Sequence, residues 1–99
     1  MSAAADPFEA RLLRVRGRVQ GVGYRYGCVR QAHTLGLTGW VRNRSDGSVE
    51  LLLQGTPEAV DTMLAWLPHG VSGARVDAVE QSPAPPGPRL AAFESRPTL

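Results

Sequence analysis

The chain contains no lysine; all eleven of its basic residues are arginine. That absence excludes a Walker-type phosphate loop, a lysine Schiff base and any catalytic ammonium. A single cysteine, Cys28, rules out an internal disulfide. With His33 and His69 as the two histidines there is no spaced ligand set, so neither metal nor cofactor is expected. No apolar stretch approaches the roughly 18 residues that a membrane span requires. The opening MSAAADPFEA has neither a basic start nor an apolar core, so residues 1–10 are expected to be a flexible terminus rather than a signal peptide, and the location cytoplasmic. Aromatic residues are few, and the first strand-like run has none to stack on a base, which argues against an RNA-reading sheet. A net charge of +2 is too small to wrap nucleic acid.

What remains is an ordinary globular composition, 42% hydrophobic and 20% charged, in 99 residues. Two cores would each be too small to hold, so residues 11–99 are read as one domain. Residues 11–19, RLLRVRGRV, alternate: Leu13, Val15, Gly17 and Val19 on one face, Arg14, Arg16 and Arg18 on the other, which is a half-buried strand. From Arg25 to Leu35, Cys28, Ala32 and Leu35 recur at helical spacing, with Gly36 as the stop. LTGWVRN and SVELLLQ are strands joined through Asp46-Gly47, a strong hairpin signal. A second helix is punctuated by Thr56 as cap, Pro57 in first position and Glu58 in the first turn, with Val60, Met63, Leu64 and Leu67 as its stripe. ARVDAVEQ is a further strand, with Ala74, Val76 and Ala78 on one face and Val79 out of phase. SPAPPGPRL is an exposed connection, and Phe93 marks a short closing strand. The order β-α-β-β-α-β, with a possible short fifth strand, implies an α+β ferredoxin-like sandwich: an antiparallel sheet with two helices on one face. That fold says nothing about activity.

The chemistry concentrates in GRVQGVGYR. Between strand and helix, the turn Gln20-Gly21-Val22-Gly23-Tyr24 carries amides with no partners in secondary structure, and the two glycines let those amides converge. A concave row of donors at a helix N-terminus is an anion site. Arg25 in the first turn opposes the helix dipole by about 0.3–1 kcal/mol unless an anion lies between them. Its planar fork would then hold two phosphate oxygens. The competing reading is a tight corner with Arg25 in water. A dinucleotide fingerprint fails, because GVGYRYG puts three residues between its last two glycines. Asn43, before the hairpin turn, is either an ordinary turn asparagine or an amide that orients a water beside the anion. His33 is expected on the helix surface, Cys28 on its buried face and Trp40 packed on a strand. Arg14, Arg16 and Arg18 should form a solvated sheet face with Glu50 as a cross-strand partner.

GRVQGVGYR followed by LGLTGWVRNRSDGSVE resembles the acylphosphatases in motif, order and spacing, over about residues 13–79 and on to the FESR end. The resemblance implies a ferredoxin-like sandwich and metal-independent hydrolysis of the carboxyl–phosphate bond of a small-molecule acyl phosphate; a monomer is the simple expectation. It places the phosphate-binding arginine at Arg25, the water-orienting asparagine at Asn43 and the phosphate loop over Gln20, Gly21, Val22, Gly23, Tyr24 and Arg25. Where the family often has phenylalanine, this chain has Tyr24, which keeps the ring. A related, non-catalytic module that only holds an anion or acyl phosphate is the alternative, and nucleic-acid binding through the arginine face is a third.

Overall fold

Alternation of Leu13 and Val15 with Arg14 and Arg16 makes the first strand, β1 (Glu9–Arg18), an interior strand of the sheet, with Leu13 and Val15 buried. The computed structural model describes residues 8–99; most of the expected flexible segment 1–10 lies outside the described residues, and β1 begins at Glu9 rather than Arg11. There follow α1 (Tyr24–Thr34), β2 (Thr38–Asn43), β3 (Val49–Gly55), α2 (Pro57–Trp66), β4 (Arg75–Pro83) and β5 (Phe93–Ser95). The sheet order is β4-β1-β3-β2-β5, antiparallel except for β5, which runs parallel to β2. Each helix carries the chain over an intervening strand, giving two interlocked split βαβ units, the ferredoxin-like arrangement. The C-terminal residues continue along β2, with amide hydrogen bonds from Arg96 to the Val41 carbonyl and from Leu99 to the Asn43 carbonyl.

Helix α1 lies over β2 and β5, and α2 over β3 and β1. Tyr24, Cys28 and Ala32 from α1 meet Val60, Met63 and Leu67 from the second helix and Leu13, Val15, Val41, Leu51 and Leu53 from the sheet. Each large aliphatic side chain buried there adds about 1.5–3 kcal/mol. Burial also pushes the Cys28 thiol up to about 12, which makes it an inert packing group. Thr56 caps α2 by accepting from the Ala59 amide at 3.2 Å, as its sequence announces.

The face of β4 departs from expectation. Val76 and Val79 pack against the core while Ala78 is exposed. The pairing with β1 slips between Arg16 and Gly17, so that Arg16 faces Ala78, Gly17 faces Val76, and Asp77 is left over as a bulge. The extra residue resets the alternation, which is why Val79 looks out of phase in the sequence. Gly17 makes the bulge possible: its φ is +134°, and a Cβ there would collide with the Arg75 carbonyl oxygen.

The open face of the sheet carries the arginines, but they are not free. Glu50 lies directly opposite Arg14 as expected, yet its side chain is 8% exposed, drawn among Arg14 at 3.4 Å, Arg42 at 2.8 Å and Arg44 at 3.3 Å. Arg16 pairs with Glu80 and Asp46. Trp40 packs on this face with the guanidinium of Arg42 4.4 Å and that of Arg96 5.6 Å from its ring. Gln54, buried on the neighbouring strand, accepts from the Leu90 amide and donates to the Pro88 carbonyl, so the exposed proline-rich connection is pinned at its far end.

Two consequences are measurable. Gly17→Ala should lower unfolding free energy by about 2 kcal/mol or more in a denaturant titration, because left-handed strain and the clash with Arg75 act together; an unchanged midpoint would mean that the bulge is dispensable. Asp46 accepts from the Ser48 hydroxyl and amide and lies beside Arg16 and Arg14, which hold its carboxyl well below the usual carboxylate range. A depressed folded value adds stability that is complete above the unfolded value, near 4, and is lost as pH falls toward the folded one. Asp46→Asn, which keeps an Asn-Gly turn, should therefore destabilise at neutral pH, with the gap from wild type closing below about pH 4.

Candidate active site

The end of β1 delivers the chain to a corner that is tied across to the hairpin. The Gln20 side-chain amide donates to the carbonyls of Arg44 at 2.8 Å and Ser48 at 2.9 Å, both in the β2–β3 turn. That bridge sets the glycine loop beside Asn43, the last residue of β2. Asn43 is itself held by pairing with Val49 on one side and by the Leu99 amide on the other.

Gly21 and Gly23 have φ of +75° and +79°, and a Cβ at either would meet no protein atom within 4 Å. The left-handed backbone, not crowding, requires glycine here, and the space beside it is open. Gly23 is the N-cap of α1, with no side-chain cap and no acid in the first turn, in contrast to Thr56 and Glu58 at the second helix. The first-turn amides of α1 are thus left without the capping partner that α2 has.

Into this corner opens a pocket of about 170 Å³ lined by Gly21, Gly23, Arg25 and Asn43, with Val19 and Tyr24 buried beneath and Tyr26 at its side. Arg25 is half-buried and has no acidic partner among the described residues; its Nη1 lies 3.5 Å from Ser95 Oγ on β5. The Oδ1 of Asn43 is buried and has no hydrogen-bond partner. A buried polar atom without a partner costs about 1–3 kcal/mol. Among the described residues, no carboxylate or imidazole lines the pocket. Tyr24 turns its hydroxyl away, donating to the Leu67 carbonyl at 2.7 Å, so it presents its ring to the site as phenylalanine would. Burial holds that hydroxyl well above the usual phenol range, with Cys28 adding to the effect, which leaves it protonated.

The structure thus brings together Gly21, Gly23, Tyr24, Arg25 and Asn43, and leaves two expected residues outside the pocket wall. Gln20 spends its side chain on the hairpin carbonyls, and Val22 packs against the core. Sequence reasoning missed Ser95, because it lies 70 residues from Arg25 and arrives only through the parallel pairing of β5 with β2. His33 is on the surface as expected, with its Nε2 3.0 Å from the Phe93 carbonyl, which helps tie β5 to α1. A larger pocket, about 350 Å³, lies on the open sheet face among Arg14, Arg16, Glu50 and Glu80. Its arginines already face acids, so it offers an anion no net advantage.

The comparisons with known proteins agree with this geometry. A family model described as Acylphosphatase matches residues 12–95. Acylphosphatase 1 of Ralstonia nicotianae is 57% identical over 102 residues, covering 100% of both chains. The structure of an acylphosphatase from Coxiella burnetii superposes with a TM-score of 0.84 at 32% identity, covering 91% of this chain and 94% of that one. Full-length HypF shares the fold at a TM-score of 0.86 and 20% identity; the match covers 98% of this chain and 13% of that one. Motif, fold and full-length likeness coincide, and the chain belongs to the acylphosphatase family, whose activity is hydrolysis of acyl phosphates.

Proposed function

We propose that Arg25 and the amides of the Gln20–Arg25 loop bind the phosphoryl group of an acyl phosphate, and that Asn43 orients the water that attacks it. One observation carries the reading: a guanidinium without an acid, two left-handed glycines at an uncapped helix N-terminus and an amide with an unpartnered oxygen all border one small pocket. The guanidinium and amides would stabilise charge on the equatorial oxygens through the transition state, being already oriented before substrate arrives. Asn43 can accept from a water and hold it in line with the scissile bond, but it has no basicity with which to take its proton. The proton passes to the phosphoryl group itself. The leaving group is a carboxylate, whose conjugate acid has a pKa of about 4–5, so the reaction needs no proton donor from the protein. It needs no metal to polarise the mixed anhydride either, since the carbonyl already withdraws charge from the bridging oxygen.

The protein acts as a monomer in the cytoplasm on a small-molecule acyl phosphate. No helix among the described residues is long and apolar enough to cross a membrane. The pairing of Arg14, Arg16, Arg42 and Arg44 with Glu50, Asp46 and Glu80 argues against nucleic acid on the sheet face.

Hydrolysis of benzoyl phosphate should proceed without added metal and survive a chelator. Arg25→Ala should lose about 10³-fold or more in kcat/KM together with competitive inhibition by inorganic phosphate, and Asn43→Ala about 10²–10³-fold in kcat with that inhibition retained. Phosphate binding by a folded wild type that turns nothing over would leave only a binding module. The pH dependence gives a second test: with no carboxylate or imidazole lining the pocket, kcat should show no inflection near the histidine value of about 6.5. An inflection there that disappears in His33→Gln or His69→Gln would replace substrate-assisted proton transfer with a side-chain base.

A further inference from the structure

The phosphoryl group has a cradle, and the residues around it leave one surface for the rest of the substrate. We propose that the Tyr26 ring is the platform for the acyl group and selects planar, aromatic acyl phosphates over small aliphatic ones. The inference rests on the placement of the phosphoryl group between Arg25 and Asn43.

In-line displacement puts water and leaving carboxylate on opposite sides of phosphorus. A water held by Asn43 therefore sends the acyl group away from that amide and out of the pocket. Of the lining side chains, Val19 and Tyr24 are each 1% exposed and form the floor, while Gly21 and Gly23 offer no surface. Arg25 and Asn43 are engaged with the phosphoryl group and the water. Tyr26 is what remains, and at 69% exposed its ring is available to a ligand. Its position follows from helix geometry. Two residues past Tyr24 it stands about 200° round α1, so that Tyr24 turns into the core and Tyr26 turns out. Helical side chains lean toward the N-terminus, which carries its ring over the turn that borders the pocket.

Arg30, one turn further on, has its guanidinium carbon 5.7 Å from the Tyr26 ring centroid. It covers one side of the ring at cation–π distance and leaves the other for a planar group, which would stack there for about a two- to tenfold gain in affinity.

The test is a ratio. kcat/KM for benzoyl phosphate over that for acetyl phosphate would be measured in wild type, Tyr26→Ala and Tyr26→Phe, alongside the affinity ratio of phenacylphosphonate to acetonylphosphonate by calorimetry. Both ratios should fall about fivefold in Tyr26→Ala and hold in Tyr26→Phe. Ratios that hold in Tyr26→Ala, including the case in which all values drop together, overturn the platform. Ratios that fall in both variants overturn stacking in favour of the hydroxyl. A wild type that binds both phosphonates but hydrolyses neither phosphate sinks the catalytic reading, while the phosphonate ratio still decides the role of Tyr26.

Discussion

The site depends on one amide. Gln20 reaches from the end of β1 to the Arg44 and Ser48 carbonyls and so joins two pieces of chain that secondary structure alone would leave apart. Strand β1 is not paired with β2; β3 lies between them. The loop that leaves β1 and the turn that follows β2 therefore approach only beyond the ends of the strands, where no ladder hydrogen bond can hold them. Both carbonyls also accept backbone amides within the turn, Ser48 from Arg44 at 2.8 Å and Arg44 from Gly47 at 3.1 Å, so Gln20 takes the second acceptor position of each. By taking them, Gln20 fixes the distance between loop and hairpin. Its side chain is thus spent on holding loop and hairpin together, while its backbone amide stays within the proposed phosphate loop.

Around that bridge the chain distributes polar partners unevenly. The second helix is capped by Thr56, which accepts from the Ala59 amide, and carries Glu58 in its first turn. The first helix begins on a glycine with neither. Seven arginines have acid partners among the described residues, and Glu50 alone serves three. Arg25 has a hydroxyl at 3.5 Å. Arg18, Arg30 and Arg89 also lack an acid partner among the described residues, but only Arg25 borders the pocket with the uncapped helix end and Asn43, where donors with no competing acid suit an anion.

The order of elements, both helices and the hairpin were legible because each is written locally; that Arg25 and Asn43 belong to one site was implied by the family resemblance, and both line one pocket. Alternation marks β1, Thr56-Pro57 marks α2, and Asp46-Gly47 marks the turn. Three features were not legible. The bulge at Asp77 depends on how β4 meets β1, and a single strand shows only a break in phase. Glu50 reads as a solvated partner of Arg14, whereas its burial comes from Arg42 and Arg44 converging from the hairpin. Ser95 belongs to a three-residue strand whose place beside β2 is set by parallel pairing, for which its own residues carry no signal. In each case the missing information is the identity of a neighbour distant in sequence.

The poverty of the pocket fits the reaction of the family. A phosphate monoester must expel an alkoxide, and enzymes that do so recruit a metal or a general acid for it. An acyl phosphate expels a carboxylate, which departs without a proton at neutral pH. What is left for a protein is to neutralise charge on the phosphoryl oxygens and to set a water in line. On the proposed reading both tasks would fall to groups that do not titrate near neutrality: a guanidinium, backbone amides and a carboxamide. A chain of 99 residues can hold such groups with one loop, one helix end and one hairpin. The same reasoning sets a boundary on the activity. With no acid beside the pocket, substrates whose leaving oxygen needs protonation should be hydrolysed far more slowly, so the selectivity for acyl phosphates comes from the chemistry that the site leaves out.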